Sequence, residues 1–168
     1  MAPPGARANP RGQRPADGEF SGTLLAFDFG VRRIGVAVGE TATKLAHPIA
    51  VIESEVTRER FLAIGKLVRE WRPAGFVVGR PRHADGAEHP VAKLAEKFAR
   101  RLTARFDLPA AFVDETLTSA VAESQRREAQ GRARQRADID ALAAALILQS
   151  YLDAYSAPPE SQIASRLR

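Results

Sequence analysis

The sequence predicts an α/β fold: a mixed five-stranded sheet with helices on both faces. Three observations carry that expectation. Three strand-like runs come first with no helix between them. Strand and helix then alternate. The last helical segment is apolar on nearly every side, as a helix buried against a sheet should be. The chain has 168 residues, enough for one ordinary domain with tails and too few for two α/β domains.

The elements follow in order. Thr23–Phe29 is a short apolar run that ends at Gly30 and reads as a buried strand. Ile34–Val38 follows after only a few residues, which predicts an antiparallel hairpin. Pro48–Ile52 makes a third strand. The period then changes. Phe61, Ile64, Leu67, Val68 and Trp71 mark one face of a first helix. Phe76–Gly79 is a fourth strand. Val91, Leu94, Phe98 and Leu102 mark a second helix, opened by Pro90 at its first position. Ala111–Val113 is a fifth strand, and a weaker helix is expected over 118–130, stopped by Gly131. A last helix is expected from Ile139 to Tyr155. The strand–helix–strand units of the later half call for parallel pairing, while the opening hairpins are antiparallel. A ribonuclease H-like arrangement satisfies that order. A plain Rossmann sheet does not, because it needs a helix after the first strand.

The flanks differ from this core. Residues 1–22 alternate proline, glycine and arginine without apolar periodicity and read as a disordered leader. Residues 156–168 contain Pro158 and Pro159 and read as a C-terminal tail, leaving 23–155 as the domain. No run approaches the roughly 18 apolar residues of a membrane span. The chain has no cysteine, which excludes disulfides, thiol nucleophiles, zinc fingers and iron–sulfur clusters. Both features fit a cytoplasmic protein.

The net charge is +5, with arginine far in excess of lysine. Arg126, Arg127, Arg132, Arg134 and Arg136 face only Glu128 between positions 126 and 136, a concentrated positive segment. Clustered arginine suits phosphate and so points to nucleic acid; a solvated basic loop is the plainer alternative.

Carboxylates stand in informative places. Asp28 interrupts the most apolar strand, where a buried charge costs several kcal/mol unless a metal, an arginine or hydrogen-bond donors offset it. Asp114 and Glu115 end the fifth strand; neighbouring strand residues face opposite ways, so at most one shares a face with Asp28. Glutamate is the poorer turn residue, which leaves Asp114 as the one suited to a turn. Asp138 suits the N-cap of the last helix and Asp140 its first turn. Ala141, Ala144, Ala145 and Leu148 would let that helix lie close to the sheet and carry Asp140 to the strand ends. Asp28, Glu115 and Asp140 would then converge. Two carboxylates ~4–5 Å apart repel by roughly 3–4 kcal/mol at an effective dielectric near 20. A divalent cation removes that penalty, and oxygen-only ligands favour Mg²⁺ or Mn²⁺. The chemistry such a site supports is metal-dependent phosphodiester hydrolysis.

Four blocks then resemble one family. Leu25-Ala26-Phe27-Asp28-Phe29-Gly30 with Arg33-Ile34-Gly35-Val36-Ala37-Val38 resembles the opening motif of the YqgF family, Holliday-junction-resolvase-like proteins described as pre-16S rRNA nucleases. Val77-Val78-Gly79-Arg80-Pro81 with Asp85-Gly86 resembles its fourth-strand loop, and Asp114-Glu115-Thr116-Leu117-Thr118 its acidic motif. Ile139 to Ala144 with Leu148 to Leu152 resembles its final helix. The resemblance covers about Thr23 to Tyr155. It implies an RNase H-like fold, a role in maturing the 5′ end of pre-16S rRNA, and Asp28, Glu115 and Asp140 as the catalytic and metal-binding acids. Asp138 does not match the family pattern.

Two positions depart from that pattern. Thr116 stands where an arginine is expected, and Arg80 where the loop has leucine. The candidate nucleic-acid contacts are therefore Arg33, Arg80, Arg82, Arg126, Arg127, Arg132, Arg134 and Arg136. Pre-16S rRNA is the expected partner, structured DNA the alternative, and the protein is expected as a monomer or homodimer. A Holliday-junction resolvase would use the same carboxylates in a two-fold dimer, and a non-catalytic RNA-binding assembly factor would not use them. Asp28-Phe29-Gly30 also resembles the phosphate motif of actin-like ATPases, which need two such domains. Of the histidines, His47, His83 and His89 make no metal pair at helical spacing, and His83 and His89 read as solvated loop residues.

Overall fold

A computed structural model describes residues 20–81, 89–115 and 133–154, with side chains of the last segment described from 137. Five strands and three helices are seen in it: β1 (Thr23–Phe29), β2 (Arg33–Glu40), β3 (Leu45–Glu53), α1 (Thr57–Trp71), β4 (Gly75–Arg80), α2 (Pro90–Phe106), β5 (Ala110–Asp114) and α3 (Ala133–Ala154). The sheet order is β3-β2-β1-β4-β5. β1 pairs antiparallel with β2, and β2 with β3, whereas β4 joins β1 and β5 joins β4 in parallel. This is the RNase H-like arrangement that the element order predicts.

Alternation along β1 divides the core in two. Leu25 and Phe27 face α1 and α2, in a cluster with Phe61, Ile64, Phe76, Phe98 and Leu102. Leu24 and Ala26 face α3, in a cluster with Ala37, Val77, Ala144, Ile147, Leu148 and Leu152. Helices thus cover both faces. The first face is filled by large rings: Phe98 meets Phe27, Phe29 and Phe61 with centroids 5.2–6.0 Å apart. The second is lined by small residues. β2 presents Gly35, Ala37 and Gly39 to α3, and a Cβ on Gly39 would meet Leu148 Cδ2 at 2.8 Å. Large side chains there would hold the helix off the sheet.

Several boundaries differ from expectation. α3 begins at Ala133, six residues before Ile139, so Asp138 is an exposed residue inside the helix and not its N-cap. Asp140 is correspondingly beyond the first turn, and the helix dipole does not explain it. The alanine-rich end hides the start because Ala133, Arg134, Gln135 and Arg136 are good helix formers that carry no apolar stripe. Phe20, assigned to the leader by its neighbours' composition, is buried against Gly75 and 5.9 Å from the Tyr151 ring. Trp71 is not a core residue: it closes α1 where Arg72 turns left-handed, and 37% of it stays exposed. Leu94 is exposed as well, because alanines carry the buried stripe of α2 through Ala92, Ala95 and Ala99. Pro48 lies inside β3 and does not start it; an edge strand tolerates the missing donor, and the register shifts at this point. The leader up to residue 19, the helix expected over 118–130 and the tail from 156 lie outside the described residues. Among those described, no helix is long and apolar enough to cross a membrane.

Candidate active site

Asp28 lies one residue from the end of β1 on the face that meets α3, two positions beyond Ala26. It is half-buried, less than its apolar strand suggests, because it sits where the strand leaves the core. Its partner across β2 is Gly35. On the other side, the parallel register of Phe27 with Val78 brings the next residue of β1 level with Gly79. A glycine therefore flanks Asp28 on each neighbouring strand.

Each glycine seats another acidic residue. A Cβ on Gly35 would collide with the Asp140 carbonyl oxygen, so the backbone of α3 rests directly on β2 at that point. A Cβ on Gly79 would collide with Glu115 Oε1 and would meet Ile147 Cδ1 at 2.5 Å. Glu115 reaches this place by simple alternation. Its N–H donates to the Arg80 carbonyl at 3.1 Å, which extends the β4–β5 pairing one step past Asp114. Asp114 then points to the opposite face, where Arg80 Nε donates to its Oδ1 at 3.1 Å. Arg80 Nη1 also reaches Glu96 Oε1 at 3.3 Å, and the guanidinium lies 5.0 Å from the half-exposed Phe112 ring. Asp28, Glu115 and Asp140 thus share the α3 face, while Asp114 and Arg80 belong to the α2 face.

Arg33 is the cation beside this group. Its Nε lies 2.9 Å from Asp140 Oδ2. That oxygen is buried and accepts no hydrogen bond, so the contact is an ion pair by distance without hydrogen-bond alignment. Glu115 Oε1 is buried too. Arg82, Arg126, Arg127 and Arg132 lie outside the described residues; Arg134 and Arg136 lie in the first turn of α3, with side chains outside the description. His89 is not a solvated loop residue: it is the N-cap of α2, and its Nδ1 accepts from the Val91 N–H at 3.1 Å. His83 lies outside the described residues.

The turn that carries this edge is clamped by a residue that hydropathy does not single out. Arg60, in the first turns of α1, is 93% buried in effect, since only 7% of its surface is exposed. It donates to the carbonyls of Gly30, Val31 and Ser54 and lies 5.5 Å from the Phe29 ring centre. Burial pushes its pKa below the ordinary value, with Glu55 opposing. Three carbonyl acceptors offset that desolvation. The signal in the sequence is its spacing: Arg60 lies four residues before Ile64 and seven before Leu67, on the same helical face.

The donor chemistry fits a hard divalent cation. The acidic side chains are all carboxylates, they come from three elements onto one face, and one of their oxygens is buried without a hydrogen bond. The side chains do not form a closed cage: no group of three or more His, Cys, Asp or Glu among the described residues stands ready to hold a metal. Arg33 stands against Asp140 instead.

The sheet order defines a domain of the RNase H-like class. Residues 22–154 match the family model described as RuvX, Holliday junction resolvase, and the chain belongs to that family. It is 54% identical over 134 residues to a protein of Dechloromonas aromatica, covering 79% of this chain and 91% of that one. It is 50% identical over 141 residues to one of Thiobacillus denitrificans, covering 83% and 97%. Both relatives are named "Putative pre-16S rRNA nuclease". Among solved structures, it is similar to Thermus thermophilus RuvC in complex with a Holliday junction substrate, at 19% identity and a TM-score of 0.47, over 79% of this chain and 94% of that one.

Proposed function

We propose that this protein is a divalent-metal-dependent nuclease that hydrolyses phosphodiester bonds and matures the 5′ end of pre-16S rRNA in the cytoplasm. The observation that carries the reading is Asp28 between two glycines, with Asp140 seated over one and Glu115 over the other. Asp28, Glu115 and Asp140 are the catalytic residues and would hold Mg²⁺ or Mn²⁺. When bound, the ion would lower the pKa of water and stabilise charge on the phosphate. The chain's own work is to place three carboxylates on one rigid edge and to exclude side chains larger than glycine beside them. Arg33 stands at that edge and is the nearest candidate for phosphate. Arg82 and the arginines at 126, 127, 132, 134 and 136 supply further candidate contacts. Arg80 is a weaker one, since Asp114 and Glu96 already engage it.

The names of the 54% and 50% identical relatives support RNA as substrate. The family's description supports a four-way DNA junction as the second reading, which requires a two-fold dimer to cut symmetrically. The experiment offers purified protein a 5′-extended small-subunit rRNA fragment and a four-way junction, each with Mn²⁺ and with chelator. Cleavage of the rRNA alone, lost on chelation, is the expected result. Preferential junction cleavage would replace RNA by DNA, and binding without metal-dependent cleavage of either would make the protein an assembly factor.

A further inference from the structure

The Arg33–Asp140 pair joins two residues of unequal freedom. Asp140 is fixed: its carbonyl is packed on Gly35, and 14% of its side chain is exposed. Arg33 opens β2, an interior strand, at its first residue, and 36% of its side chain is exposed, so its guanidinium reaches inward from solvent. The buried oxygen it faces, Asp140 Oδ2, accepts no hydrogen bond. Charge, and not a directed bond, holds the pair together. Asp28 is next to this contact in the fold, being the strand partner of Gly35.

We propose that Arg33 is an exchangeable counter-ion of the carboxylate site: a divalent cation displaces it from Asp140, and the released guanidinium then binds a phosphate of the nucleic acid. The proposal rests on the carboxylate-site reading above. A guanidinium and a cation compete for the same oxygen, and two positive charges so close repel each other. Metal entry therefore frees a positive charge at the mouth of the site, and metal and nucleic acid tighten each other's binding by the same factor. The device would make phosphate binding conditional on a loaded site.

The test reads binding and not turnover. Mn²⁺ affinity is measured from free-ion electron paramagnetic resonance, and binding of a 2′-O-methyl single-stranded RNA, which lacks the free 2′-hydroxyl, by fluorescence anisotropy under conditions where gels show it intact. Arg33→Gln should raise Mn²⁺ affinity by about tenfold, and Arg33→Lys, which keeps the charge, should stay within about twofold of the wild type. In the wild type, Mn²⁺ should tighten RNA binding by about fivefold or more, an effect that Arg33→Gln removes. Unchanged or weaker Mn²⁺ affinity in Arg33→Gln overturns the proposal. So does the absence of Mn²⁺–RNA coupling in the wild type, which needs no variant to fold. Asp28→Asn separates the two readings: if it binds Mn²⁺ as well as the wild type, the carboxylate site itself is wrong.

Discussion

The two faces of one sheet are built on opposite rules. Toward α1 and α2, the strands present Leu25, Phe27, Phe76 and Val78, and interlocking phenylalanine rings fill the gap. Toward α3, they present Leu24 and otherwise smaller residues, Ala26, Gly35, Ala37, Gly39, Val77 and Gly79, and at Gly35 the helix comes close enough for backbone to rest on backbone. The first face buries much apolar surface and carries stability. The second gives up side-chain volume for proximity, and proximity is what brings carboxylates from β1, β5 and α3 to one edge. A carboxylate site needs short distances from several elements, and glycine is the cheapest way to obtain them.

Matched lesions on the two faces would break this comparison most decisively. Phe98→Ala removes a ring that meets Phe27, Phe29 and Phe61 and should cost about 3–5 kcal/mol of stability. Activity per folded molecule should survive at low temperature. Gly35→Ala pushes a methyl group into the Asp140 backbone and should cost about 1–3 kcal/mol by overpacking. It should also remove most metal-dependent cleavage even where the protein stays folded, since Asp140 moves with α3. Gly79→Ala meets two side-chain ends, Glu115 Oε1 and the buried Ile147 Cδ1, instead of backbone, so it should lose activity with a loss of stability no larger than that of Gly35→Ala. Thermal melts paired with cleavage assays on folded protein decide the matter. Equal activity loss from Phe98→Ala and Gly35→Ala would mean that the faces are not specialised.

The next effect in size is that of Asp28→Asn. In the proposed role, the half-buried Asp28 carboxylate is held for chemistry more than for stability. The variant should lose metal-dependent cleavage by roughly a hundredfold or more while its melting temperature stays level or rises. A variant that cleaves normally, or that unfolds, would remove Asp28 from the catalytic set.

How much of this was legible beforehand depends on the kind of signal. The succession of elements and the sense of their pairing follow from the spacing of apolar runs, because a gap of a few residues suits a hairpin and a helix-length gap a crossover, but that β4 lies beside β1 and not beside β3 does not follow from spacing. The acids were also legible, since charge in an apolar strand or at a strand end stands out. What set the distances between them was not. Gly35 and Gly79 read as ordinary strand glycines until α3 is in place, and whether a glycine seats a helix is a tertiary fact. Alanine hid structure twice: it carries the buried stripe of α2 in place of Leu94, and it obscures the start of α3, which misplaced Asp138 as a cap. Arg60 shows the same limit for a buried cation, whose carbonyl acceptors lie six to thirty residues away in sequence.

Adjacent Asp114 and Glu115 test the division of faces at single-residue resolution. Glu115 lies over Gly79 with the other acids, and Asp114 is bonded to Arg80 on the α2 side. Glu115→Gln keeps shape and most hydrogen bonding, so it should lose metal-dependent activity with little change in stability. Asp114→Asn should keep most activity and lose about 0.5–1 kcal/mol, the worth of a half-exposed ion pair. Kinetics and melts on both variants read this directly. The reverse pattern would place Asp114, not Glu115, in the site.

The smallest effect lies at the ends of the two helices on the ring-filled face. α1 closes at Arg72 with φ 46° and α2 at Asp107 with φ 53°, both left-handed and both with the residue's own N–H bonded back to the preceding turn. An L-residue in that conformation loses roughly 1 kcal/mol, which glycine does not. Glycine also loosens the unfolded chain and so returns part of the gain. Arg72→Gly should therefore stabilise by about 0.5 kcal/mol, or roughly 1–2 °C in melting temperature for a domain of this size. Asp107→Gly should gain less, since aspartate tolerates the left-handed region better than arginine. Neither change touches the α3 face, so cleavage by both variants should equal that of the wild type within error. A measurable change in cleavage from Arg72→Gly would show that the end of α1 communicates with the carboxylate edge. The path would run through the helix that carries Arg60, which holds the Gly30–Val31 turn between Asp28 and Arg33.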